Sequence, residues 1–147
     1  MKRKLWSREE LILAFNLYLK IPFGKIHSTN KDVIYLAHLI GRTPNSIALR
    51  LVNFASVDPV LKERGVKGMD GGKKIVQPIW DEFFNNQEEL IFLSEKILAE
   101  KENFTVEQKF EELFFDIKEL KGEVKLREIK TRVNQNVFRQ MVISNYT

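Results

Sequence analysis

The segment from Asn30 to Phe54 constrains the fold of this 147-residue chain more than any other. Asn30 is a natural N-cap. Behind it Val33, Leu36, Ala37 and Ile40 recur at i, i+3, i+4 and i+7, which gives a helix one apolar stripe. Gly41 ends that helix, because glycine takes the left-handed backbone of a C′ position without steric cost. Thr43 then caps a second helix, with Pro44 at its first position, where a missing N–H is no loss. Ile47, Leu51 and Phe54 supply the inward stripe of this second helix. A helix, the turn Gly41-Arg42-Thr43 and another helix have the outline of a helix-turn-helix unit, whose second helix can lie in the major groove of a duplex.

A further helix precedes this pair. Ser7-Arg8-Glu9-Glu10 is a capping box, with Ser7 as N-cap and Glu10 reaching back to it. Trp6 and Leu11 occupy the N′ and N4 positions of a hydrophobic staple. The spacing predicts a helix through Leu19, ended before Pro22, with Leu11, Phe15, Tyr18 and Leu19 on or near its buried face. Phe23-Gly24 makes a turn. Three such helices form a trihelical head over residues 1–57.

The remainder is expected to be helical as well, so the fold class is mainly α: a trihelical helix-turn-helix head followed by further packed helices. Residues 58–78 read as a basic, glycine-containing connection in which Asp58-Pro59 starts one short helical turn. Gly71-Gly72-Lys73-Lys74 lacks the GxxxxGK[ST] spacing of a nucleotide-binding loop and is read as a flexible basic surface loop able to touch a DNA backbone. Residues 79–121 form an acidic helical region. In it Trp80, Phe83 and Phe84 make an aromatic knot, Leu90, Ile91, Ile97 and Leu98 continue an apolar face, and Phe104, Phe110, Leu113, Phe114 and Ile117 mark another helix. These aromatics are assigned to packing, against the head or a second copy. Gly122 breaks the pattern, and residues 122–147 are a basic linker followed by a junction helix near Gln135 to Asn145.

Composition narrows the function. The chain has no cysteine, which excludes disulfide frameworks, zinc–thiolate sites and cysteine nucleophiles, and is compatible with a cytoplasmic setting. No apolar run approaches the roughly 18 residues that span a bilayer, and no signal-peptide core follows the basic start, so no membrane association is expected. Residues 1–79 carry 14 Lys/Arg against 6 Asp/Glu, residues 80–120 carry 4 against 12, and residues 121–147 carry 6 against 2. A basic head beside an acidic middle is what a polyanion-binding head needs, the alternative being ordinary solvated surface.

Asn45, Ser46, Leu49, Arg50 and Asn53 lie off the Ile47/Leu51/Phe54 stripe and are expected to face outward. Arginine pairs bidentately with guanine and asparagine with adenine. Asn45, Ser46, Arg50 and Asn53 are therefore the candidate base contacts, with Arg50 and Asn53 foremost. Lys2, Arg3, Lys4, Arg42, Lys73 and Lys74 suit the phosphate backbone or a minor groove. The alternative is that these residues only solvate an exposed helix face. For catalysis there is little: His27 and His38 have no recognisable ligand partner, and no HExxH or GxSxG occurs. No metal or other cofactor is expected.

Together these words resemble one group of proteins. Trp6-Ser7-Arg8-Glu9-Glu10-Leu11, Ile21-Pro22-Phe23-Gly24-Lys25-Ile26-His27 and Ile40-Gly41-Arg42-Thr43-Pro44-Asn45-Ser46 resemble the N-terminal region of bacterial HNH-type restriction endonucleases. So do Asn53-Phe54-Ala55-Ser56, Arg64-Gly65 and Ile79-Trp80-Asp81-Glu82-Phe83. Residues Thr131 to Gln140 are similar to the segment that leads into the nuclease module of those proteins, and the trihelical part has a looser likeness to the Myb/SANT class. The cysteine-containing turn and histidine-rich metal site that follow in the family are absent from this sequence. The resemblance thus implies a recognition or accessory region that binds double-stranded DNA and is not an enzyme by itself, with a nuclease domain or a second copy as further partner. The rival expectation is a protein-interaction or dimerisation module without DNA affinity.

Overall fold

A computed structural model describes residues 5–65 and 71–146, with side chains up to residue 143. The chain is mainly α-helical, and no strand occurs among the described residues. The first helix, α1 (Arg8–Lys20), opens on the expected capping box: the Ser7 hydroxyl accepts from the Glu10 amide at 3.1 Å, and the Ser7 amide donates to the Glu10 carboxylate at 3.0 Å. It is buried on more than one face, however, with every residue from Glu10 to Tyr18 inside. The reason is its position, for α1 packs against all of the larger helices that follow.

Two of these are α2 (Lys31–Ile40) and α3 (Pro44–Val57), whose caps are those expected. Asn30 accepts from the amides of Asp32 and Val33, and Thr43 accepts from Ser46. A short helix, α4 (Pro59–Glu63), is capped by Asp58. Next come α5 (Lys73–Phe83) and α6 (Gln87–Lys101), then a single turn, α7 (Val106–Lys109), and finally the 25-residue α8 (Gly122–Tyr146).

Three stretches differ from expectation. The helical region expected from residue 79 already begins at Lys73, with Pro78 inside the helix. Proline removes only the bond to the carbonyl four residues back, here that of Lys74, and both residues are exposed, so the defect lies at the surface. Phe104 to Ile117 do not form one helix but α7 and two 3-10 turns, bent so that Val106, Phe114 and Ile117 all reach the interior. The basic linker after Gly122 is absent. One helix runs from Gly122 to Tyr146, because Ile129, Val133, Val137 and Met141 make an i, i+4 stripe that is buried throughout.

Two apolar clusters result. The larger joins α1, α2, α3 and α5, and its spine is a run of rings: Phe54 on Phe15 at 4.9 Å, Phe15 on Trp80 at 5.0 Å, Trp80 on Phe84 at 5.1 Å. The Trp80 knot is thus packing, and it packs against the head. The smaller cluster joins α6, the turns at 106–117 and α8. Helix α6 serves both, with Leu90 and Ile97 in the first and Ile91 and Ala99 in the second.

Candidate nucleic-acid interface

The turn between α2 and α3 has a fixed geometry. Gly41 adopts φ 71° and ψ 36°, and the Arg42 amide reaches back to the Ala37 carbonyl at 2.9 Å, a Schellman-type end. Helix α3 leaves this turn with an asymmetric environment along its length. In its first half Asn45 and Leu49 are exposed and Ser46 and Arg50 half-buried; from Asn53 to Val57 every residue is buried. Helices α1, α2 and α5 press on it together. Only the N-terminal half is left open.

The Arg42 side chain does not reach outward. Its Nε and Nη2 hold the two Glu10 oxygens at 2.8 and 3.0 Å, and Nη2 also meets the Leu5 carbonyl at 3.0 Å. The pair is deeply placed, with side chains 10% and 7% exposed. Glu10 is therefore both the capping-box residue of α1 and the counter-charge for the turn. The expected phosphate contact of Arg42 is replaced by this internal fork, whose bidentate geometry suits a guanidinium and a carboxylate.

Trp6 does more than staple a helix end. Its ring lies 4.3 Å from the Arg42 guanidinium and 4.8 Å from that of Arg50, both within cation–π range. Arg50 Nη1 donates to the Asn53 side-chain oxygen at 3.0 Å, and Arg50 makes no ion pair with a carboxylate among the described residues. Burial, and then the charge of Arg42, press its pKa downward.

Asn53 is the plain correction. It was expected on the outer face but is buried, 5% exposed, beneath the start of α5. A Cβ on Gly72 would stand 2.3 Å from its side-chain oxygen, so any other residue there would have to displace the buried Asn53 amide, and φ 139° at Gly72 disfavours a side chain as well. Lys73 and Lys74 consequently sit in the first turn of a helix next to α3, not in a loop. Lys2, Arg3 and Lys4 lie outside the described residues.

The charge asymmetry is partly satisfied within the molecule. Arg8 pairs with Glu82, Lys20 with Glu95, Lys130 with Glu89 and Arg132 with Asp116, so the acidic middle draws on both basic ends. Among the described residues Lys25 and Lys31 of the head, and Lys62, Arg64, Lys73 and Lys74 after it, make no ion pair. His27 and His38 are exposed. No helix is long and apolar enough to cross a membrane among the described residues.

Comparison with protein families, curated proteins and solved structures gave no match. The residues themselves therefore carry the functional argument. The arrangement offers an open helix end, a rigid turn behind it and unneutralised lysines on the same part of the chain. Glu10, Trp6 and Gly72 were missed as parts of this site. Trp6 and Glu10 carried a signal, since two residues of a capping motif stood before an arginine-bearing turn, but nothing local to Gly72 pointed to Asn53.

Proposed function

We propose that this chain binds duplex DNA through α2, the Gly41-Arg42-Thr43 turn and the N-terminal half of α3, as the recognition or accessory part of an HNH restriction-type endonuclease. The observation that carries this is the open first half of α3, with Asn45, Ser46 and Leu49 at the surface while the second half is locked inside. Asn45 and Ser46 are the base-facing polar residues. Arg50, steadied by Trp6 and Asn53, reaches either a base edge or a phosphate. Lys73 and Lys74 are backbone contacts, as are Lys25, which precedes α2, and Lys31, which begins it. The catalytic step is assigned to a nuclease domain, not to these residues.

Fluorescence anisotropy on mixed-sequence duplexes, repeated across salt concentrations, tests the proposal. Binding should weaken with salt at a slope of about −0.9 per neutralised phosphate. Arg50→Ala should cost about 1–3 kcal/mol on preferred sites if it reads a base, and weaken all sequences alike if it holds a phosphate. No binding at low salt would overturn the proposal.

A second reading is favoured by apolar side chains at the surface of the C-terminal part: Phe115, Phe138 and Ile143 are 66%, 62% and 57% exposed. These suit a protein-interaction or dimerisation module. Sedimentation showing tight self-association by a chain without DNA affinity would establish it instead.

A further inference from the structure

A cavity of about 330 Å³ opens between α1, α2, α6, α7 and α8, away from the open face of α3. Its volume falls in the range of small-molecule sites. More than half of its lining residues are apolar, among them Leu13 and Leu17 of α1, Leu36 of α2, Leu98 of α6, and Val137 and Met141 of α8. Its charged members are Lys20, Asp32, Glu95 and Lys109, two of each sign. Glu102 stands behind them, bonded to Lys109 at 2.7 Å. The wall thus has no excess of positive charge, and a charged head group of either sign meets a repelling partner for each attracting one.

Glu95 is the polar centre of this wall, with its side chain only 4% exposed. Its two oxygens differ. Oε1 accepts from Lys20 Nζ at 2.6 Å, whereas Oε2 accepts no hydrogen bond among the described residues. Lys109 Nζ stands 3.7 Å from Oε2, beyond hydrogen-bonding distance. A buried carboxylate oxygen left without a donor is costly, and an ammonium has three N–H bonds, of which Lys109 spends one on Glu102. Both residues face the cavity, so the unmet acceptor and the spare donor lie side by side in its wall. A hydroxyl about 2.8 Å from each atom answers both, donating to Oε2 and accepting from Lys109. No simpler head does so. An ether only accepts, an ammonium only donates and is repelled by Lys109, and a carboxylate is repelled by Glu95.

We infer that this cavity binds a small uncharged amphiphile with a hydroxyl head, a phenol or a medium-chain alcohol, its head between Glu95 and Lys109 and its apolar body between α2 and α8. The site joins a helix of the proposed DNA-binding unit to the C-terminal helix, yet it stands on its own geometry and is independent of DNA binding.

Isothermal titration of the full chain with para-propylphenol tests it. Saturable binding of one molecule per chain is expected, with a rise in melting temperature that follows its concentration. The methyl ether, para-propylanisole, keeps the apolar body and the acceptor but has no donor, and should bind about tenfold more weakly. The anionic para-propylbenzoate and the cationic para-propylbenzylamine should also bind more weakly than the phenol. Lys109→Met should weaken phenol binding about tenfold, in protein shown by circular dichroism to be folded. The unaltered chain supplies a measurement free of any change in packing: the phenol should shift the NMR methyl signals of Leu36, Val137 and Met141. Non-saturable uptake, equal affinity for the ether, tighter binding of either charged analogue, unchanged affinity in folded Lys109→Met, or methyl shifts confined to other residues would each overturn the proposal.

Discussion

Two buried carboxylates hold this molecule together in different ways. Glu10 has both oxygens gripped by one guanidinium, under a tryptophan ring, and its own capping bond to Ser7 fixes the carboxylate from the other side. Glu95 is buried as deeply, but its partners are two lysines on flexible stems, each about a quarter exposed. A planar fork meets a carboxylate in one way, whereas an ammonium swings about its stem and keeps hydrogen bonds to spare. The first arrangement suits a turn that must not move. The second leaves each ammonium able to turn toward another partner.

Mutations that remove one partner should separate the two sites. Arg42→Ala leaves Glu10 charged, buried and without its fork, and should cost about 3–5 kcal/mol in urea unfolding, with Arg42→Lys recovering only part of that. Removing the charge at the other site should cost less: Glu95→Gln is expected to lower stability by about 1.5–3 kcal/mol, since both freed lysines can turn to water. Equal losses at the two positions would erase the distinction. Ser7→Ala, which takes the hydroxyl acceptor from the Glu10 amide but leaves the Ser7 amide bond to the Glu10 carboxylate and Arg42 in place, should cost about 0.5–2 kcal/mol. Arg8→Ala breaks an exposed pair with Glu82 and a cation–π contact with Phe83, and should change stability by about 0–1 kcal/mol, a baseline for the rest.

Acid should sharpen the contrast further. Burial works against the charge of Glu102, but Lys109 and Tyr35 outweigh it and hold the pKa below the ordinary glutamate value, while the Tyr35 hydroxyl is pushed up to about 12, first by its bond to Glu102. A carboxyl depressed in the folded state stabilises above its unfolded pKa, and that contribution disappears as pH falls through the folded value. Unfolding midpoints measured from neutral pH down through the carboxylate range should therefore decline, and Glu102→Gln should make the decline shallower.

The caps and stripes of the first three helices were legible because each is written in adjacent residues: Ser7 with Glu10, Asn30, Thr43 with Pro44, and Gly41 in the left-handed region. What the local pattern could not convey was what each element packs against. Asn53 reads as an outward polar residue on its own helix, yet α5 crosses that face some 20 residues later in the sequence, at a glycine. Arg42 reads as a free surface charge until Glu10, 32 residues earlier, is seen beside it. Pro78 argues locally against helix, and tertiary burial of Val76 and Ile79 overrides it; Gly122 marks only the start of α8, whose Glu, Lys and Arg residues favour helix and whose Ile129 and Val133 are buried in the smaller cluster.

The burial of α1 on all sides bears on how this protein could be recombined. A crossover after Val57 looks natural from the chain alone, since it keeps the turn-linked pair and its leading helix intact. It would nonetheless strip α1 of both α5 and α6, laying bare Phe15 where Trp80 had covered it and taking Ile97 away from the same core. The first 57 residues are therefore not a cassette that can be moved between proteins. The turn is held by Glu10 and Trp6, and α1, which carries Glu10, is itself covered by helices that come later, so any graft intended to carry the turn must take at least Trp6 to Lys101 as one piece.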